Sequence, residues 1–169
     1  MPELPVFFDR YIKKVEDLPV IEAFKNNSPH DIMSEMDKLK ALEDKVYAPD
    51  KWTVKDILQH IIDTERILTY RALRFARNDK TVLPGFEEDD FAKNTTVKKR
   101  NIDQLMNEWI ALRTATIAMF ESFDDEMFTH KGIAFQNEIS VLALAFVVIG
   151  HPIHHYKVIK ERYFPLLEK

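Results

Sequence analysis

The run Ile139-Ser140-Val141-Leu142-Ala143-Leu144-Ala145-Phe146-Val147-Val148-Ile149-Gly150-His151-Pro152-Ile153-His154-His155-Tyr156 decides how this chain folds. From Ile139 to Ile149 it is almost wholly apolar, which reads as a buried helix. Three of the chain's six histidines then follow within five residues. His151 and His155 are four apart, so on an α-helix they lie about 40° apart around the axis and one turn apart along it, and both rings reach one point. A polar pair at the end of a buried helix needs partners, because unpaired buried imidazoles are costly. A metal ion is one such partner. Pro152 stands between the two histidines. Proline inside a helix removes one hydrogen bond and crowds the preceding turn. The chain therefore either kinks and keeps the pair, or breaks and loses it.

Outward from this run, the apolar pattern keeps a helical period. Residues 6–26 read as one or two short helices broken before Pro19. Ser28-Pro29 is a helix start, with one amphipathic helix expected to about Asp44 through Ile32, Met36, Leu39 and Leu42. Thr53, with Asp56 three positions on, predicts a capped helix, and no breaker follows from Val54 to Arg77. Ile102, Leu105, Trp109, Leu112, Thr116, Met119 and Phe120 predict a helix over 102–122. The last helix is expected from about Glu138 to Tyr163, after a turn at 124–128 and a loop at His130-Lys131-Gly132. Between the middle helices, residues 79–100 hold Pro84-Gly85 and the acidic run 87–90, which reads as a solvated crossover. The sum over 1–169 is a single all-α domain, a four-helix bundle with a long crossover and a short N-terminal helical extension.

Composition narrows the function. The chain has 169 residues, 31% charged and 46% hydrophobic, an ordinary globular mix. Its three glycines form no phosphate-binding loop. A net charge of −4 gives no nucleic-acid footprint. There is no cysteine, hence neither a disulfide framework nor a cysteine nucleophile. Met1 to Pro5 lacks the basic-then-apolar pattern of a signal peptide, and the run Val141 to Ile149 is well short of the roughly 20 residues of a membrane span. A cytoplasmic location with no membrane partner is expected.

His60 sits in the first third of the helix begun at Thr53. Asp63, Arg71 and Arg74 fall within about 60° of it on the same stripe. Bundles build metal sites from facing helices, so His60, His151 and His155 form a candidate set of three neutral nitrogen ligands. Three protein ligands leave an open position, as in catalytic zinc sites, and imidazole suits nickel, iron or copper as well. Asp56 and Asp63 are candidate acceptors for the free N–H of His60. Arg71 and Arg74 read either as salt-bridge partners or as holders of an anionic substrate group. His30 and His130 read as surface residues, and Trp52 and Trp109 as core.

The segments Lys51-Trp52-Thr53 through His60 to Arg66, Tyr70-Arg71-Ala72-Leu73-Arg74, and Gly150-His151-Pro152-Ile153-His154-His155 with Lys160-Glu161-Arg162-Tyr163 resemble the DinB-like (YfiT-type) superfamily over roughly residues 30–165. The resemblance implies a divalent metal, zinc or nickel, held by His60, His151 and His155. It also implies a small-molecule substrate and a homodimer. The activities it implies are hydrolysis, S-transfer from a low-molecular-weight thiol of the bacillithiol type to small electrophiles, or isomerisation using such a thiol. In such an enzyme Asp63, Arg71 and Arg74, read from their place beside His60, are the candidate catalytic residues. A non-enzymatic metal- or ligand-binding stress protein is the alternative.

Overall fold

The computed structural model describes residues 8–168; the reading of Met1 to Pro5 and the first residues of the expected 6–26 helices lie outside them. Three long helices dominate. The first, α5, spans Val54–Ala76, α7 spans Ile102–Glu121 and α9 spans Val141–Arg162; α5 packs on both of the others. The short helices α1 (Asp9–Ile12), α2 (Val20–Asn26), α3 (Pro29–Ile32) and α4 (Met36–Leu42) fill the fourth place of the bundle in pieces. Of these, α1 lies across α9, α2 and α3 touch α7 and α9, and α4 meets the closing 3-10 turn at Phe164–Leu167.

The helix starts follow from capping. Thr53 and Asp56 form a reciprocal capping box, as do Asn101 with Gln104 and Ser28 with Asp31, each satisfying otherwise orphaned backbone N–H groups. The helix expected from Ser28 to Asp44 is instead two, α3 and α4. Met33 and Glu35 leave helical geometry (ψ 55° and 58°), and Tyr156 Oη accepts the Glu35 N–H at 3.3 Å and donates to the Glu35 carboxylate at 3.1 Å. The break is held by a residue far along the chain, which helical periodicity cannot register.

The crossover carries α6 (Glu88–Lys93), whose first turn is the acidic run, as suits a helix N-terminus. The largest departure lies at 131–140. The expected loop and early helix start are a β-hairpin, β1 (Lys131–Ala134) and β2 (Asn137–Ser140), antiparallel with Lys131 opposite Ser140. Its turn residues, Phe135 and Gln136, both have positive φ (49° and 66°). Such turns normally announce themselves by Asn-Gly or Asp-Gly, and neither is here. The crossover clasps the hairpin: Leu83 N–H donates to Ile133 O at 2.9 Å, and Phe135 N–H to Leu83 O at 3.2 Å.

Pro152 does not break α9. Proline lacks the N–H that would bond the carbonyl four residues back, that of Val148. Arg113 reaches this carbonyl from α7 instead, its NH2 donating at 3.4 Å. The same guanidinium donates twice to Glu65 at 2.9 Å and once to Asn27 O at 3.0 Å, and Trp109 Nε1 also donates to Glu65. Glu65 and Arg113 form a fully desolvated ion pair at the centre of the bundle. Within Val141–Leu167 an 18-residue window has a mean hydropathy of 1.3, enough by length and composition to cross a membrane, but that window is 67% buried among the other helices, as in a core helix.

Candidate metal centre

His60 faces α9 from the second turn of α5, and His151 and His155 face back from α9. The Nε2 atoms of His60 and His151 are 3.0 Å apart, and those of His155 and His151 also 3.0 Å. His60 is 6% exposed and His151 4%, with His155 half-buried. Both close contacts share His151 Nε2. One ring nitrogen carries either a single proton or a single lone pair, so it cannot make two good hydrogen bonds there. Three nitrogens bound to one transition ion at about 2.0–2.1 Å stand about 3 Å or slightly more from each other. His60, His151 and His155 each offer a ligand atom, all within 4.8 Å of one another, a donor set able to hold a metal ion.

Electrostatics favour the same form of the rings. Burial pushes the His60 pKa down to about 4. Burial, then the neighbouring His60, pushes His155 down to about 3. Burial, followed by His155 and His60, holds His151 well below its ordinary value. All three rings are neutral at pH 7 with lone pairs available, the state a metal requires. The surround orients them: the Thr64 hydroxyl lies 3.4 Å from His60 Nδ1, the Trp52 ring 5.0 Å from His60, and the Tyr11 ring edge-on to His151 at 5.3 Å. Gly150 permits that last contact, since a Cβ there would lie 2.1 Å from the Tyr11 carbonyl oxygen.

The other candidates are distributed more widely. Asp56 is committed to its capping box. Asp63 accepts a hydrogen bond from Gln59 at 2.9 Å, and lines a narrow cleft with His60, Gln59, Phe86 and Glu88; burial raises its pKa. The acceptor at His60 Nδ1 is Thr64, one helical turn on, rather than either aspartate. Arg71 is buried and lines a cavity beside His151, donating to Pro84 O at 2.8 Å. Arg74 is tied to Asp79 and to the Tyr70 hydroxyl. Arg162 is exposed, and Trp52 is only half-buried. His154 packs on Tyr11 and His155 outside the cluster, and His130 is anchored by its Nδ1 against Ala76 O at 3.1 Å. Tyr11, Phe86 and Phe135 line the cavity without any advance signal, whereas Thr64 was findable from its four-residue spacing to His60.

The fold and this cluster define a helical bundle built around a three-histidine centre between two facing helices. The chain belongs to the DinB superfamily, whose family model matches residues 29–159. Its structure is similar to that of YfiT from Bacillus subtilis, described as a probable metal-dependent hydrolase with an unusual four-helix bundle topology. The TM-score is 0.70 over 94% of this chain and 87% of that one, at 16% identity, a likeness of fold. No curated protein matches the chain.

Proposed function

We propose that the protein is a metal-dependent hydrolase of small molecules, with His60, His151 and His155 holding a divalent ion, zinc or nickel. The observation that carries the reading is the grouping of three neutral imidazoles, His60, His151 and His155, whose ligand atoms all lie within 4.8 Å of one another. A divalent metal bound there would act as a Lewis acid and lower the pKa of a water toward neutrality. The protein's own groups supply the rest. The cleft beside His60 has a volume of about 10 Å³, room for one water. Asp63 opens onto it with Oδ1 bonded to Gln59, leaving Oδ2 to take a proton from that water. The larger cavity beside His151 takes the substrate, so water and substrate approach the histidines from two sides. Arg74, held by Asp79, supports the end of α5 in this scheme rather than touching substrate. The separate water-sized cleft favours hydrolysis over thiol transfer, because a thiol cosubstrate needs more room. The same reading takes the protein as a cytoplasmic homodimer, on the family likeness and the lack of cysteine.

Metal analysis of untagged protein tests the centre. About one equivalent is expected in wild type and less than a tenth of that in His60→Ala, His151→Ala and His155→Ala. The metal-loaded protein is then assayed against esters, amides and lactones, and against electrophiles with and without a small thiol. Hydrolysis lost in Asp63→Asn with metal retained supports the scheme. Turnover only with thiol would replace it with S-transfer. Metal binding without turnover of any kind would leave a non-enzymatic metal-binding protein.

A further inference from the structure

We propose that the cavity beside His151 is a subsite for a carboxylate carried on a flat apolar body, and that Arg71 is the residue that holds it. The proposal rests on the reading of the histidine cluster as the reacting end of the site. The carrying observation is the state of Arg71. Its side chain is only 5% exposed, yet of its five N–H donors one bonds the Pro84 carbonyl, and among the described residues no carboxylate pairs with it. Burial lowers its pKa. The other buried arginine, Arg113, is bonded to Glu65 and two carbonyls. A buried cation without a counter-ion is costly and calls for an anion in the space it faces.

That space has a defined shape. The cavity holds about 80 Å³ and is walled by Tyr11, Leu68, Phe86 and Phe135, with Arg71 and His151 also on its surface. His60 and Arg71 are eleven residues apart on α5, about 20° apart in azimuth and about 16 Å apart along the axis. Helical side chains lean toward the N-terminus, and Arg71 shares the cavity lining with Leu68 and His151. An anion at Arg71 is thus held away from the histidines, with an apolar spacer between. Phe135 completes the wall from the hairpin tip, in a positive-φ conformation unfavourable for an aromatic residue. Its ring fills the place a Cβ on Gly85 would need, 2.1 Å from that position. Among the described lining residues Arg71 is the only arginine or lysine, and Glu88 is an acid on the same wall, so the cavity has no surplus of positive charge for a phosphate dianion.

The probe pair is phenylacetate and its neutral isostere phenylacetamide, titrated calorimetrically into the full chain in zinc-loaded and chelator-treated forms. Wild type is expected to bind the acid about tenfold or more tightly than the amide in both forms, the scale of one charge-assisted pair. Arg71→Gln should abolish that preference and leave metal content and amide affinity within about twofold, and Arg71→Lys should retain part of it. Equal affinities for acid and amide in wild type overturn the proposal whether or not the variants fold. So does a preference that survives Arg71→Gln, or one seen only with zinc, which would put the carboxylate on the metal. An acid preference in protein that binds no metal would sink the hydrolase reading and leave this subsite standing.

Discussion

Replacing Arg113 by methionine strands the Glu65 carboxylate at the centre of the bundle. Both side chains are 2% exposed, so solvent screens neither. Arg113 makes two charge-assisted bonds to Glu65, a bond to Asn27 O, and the contact that covers the Val148 carbonyl freed by Pro152. Breaking a buried pair by removing one partner costs about 3–5 kcal/mol. Against a total stability of about 5–15 kcal/mol, that is at least about a fifth of the whole. At about 2–4 °C per kcal/mol for a domain of this size, the melting point should fall by roughly 6–20 °C. Adding Glu65→Gln removes the stranded charge while leaving an amide oxygen for Trp109 Nε1, so the double variant should recover at least half the loss. Urea denaturation followed by far-ultraviolet circular dichroism reads both. A single-variant cost below about 1 kcal/mol, or a double variant no better than the single, would refute the view that the cost lies in desolvated charge.

Three further outcomes follow from the same geometry. Thr64→Val removes the hydroxyl beside His60 Nδ1, and zinc affinity measured by chelator competition should weaken about tenfold or more, as for other outer-shell partners; unchanged affinity would exclude that role. Gly150→Ala drives a Cβ into the Tyr11 carbonyl, so α1 must shift, at about 1–3 kcal/mol in denaturation experiments; a neutral effect would show that α1 is loosely seated. Asp79 is held down to about 2 by Thr81 and then Arg74. Its contribution to stability is therefore present above its unfolded pKa, near 3.9, and lost as pH falls toward 2; Asp79→Asn should flatten the melting temperature against pH between about 4 and 2.

Much of the scaffold was legible because it is written in local terms. The Thr53 box and the unbroken apolar stripe marked α5 to within a residue, and α7 was equally plain. The grouping of three histidines was legible for a similar reason: His151 and His155 need only a helix, and His60 only a facing one. What escaped notice depends on contacts distant in sequence. The split between α3 and α4 is held by Tyr156, and the hairpin by Leu83. Arg71 and Arg74 looked alike on one stripe; only the chain path after α5 put Asp79 beside one and the Pro84 carbonyl beside the other.

The sequence by itself determined the all-helical class, the long helices and the residue types able to ligate a metal, since hydrophobic period, caps and four-residue spacing act within a turn or two of helix. Only the tertiary structure decided that the cluster survives Pro152. There Arg113, on another helix and anchored by Glu65 on a third, donates to the carbonyl that proline leaves bare. The tertiary structure also left Arg71 buried with no carboxylate paired to it among the described residues. Both outcomes turn on desolvation, which belongs to the packed assembly and to no local stretch of chain.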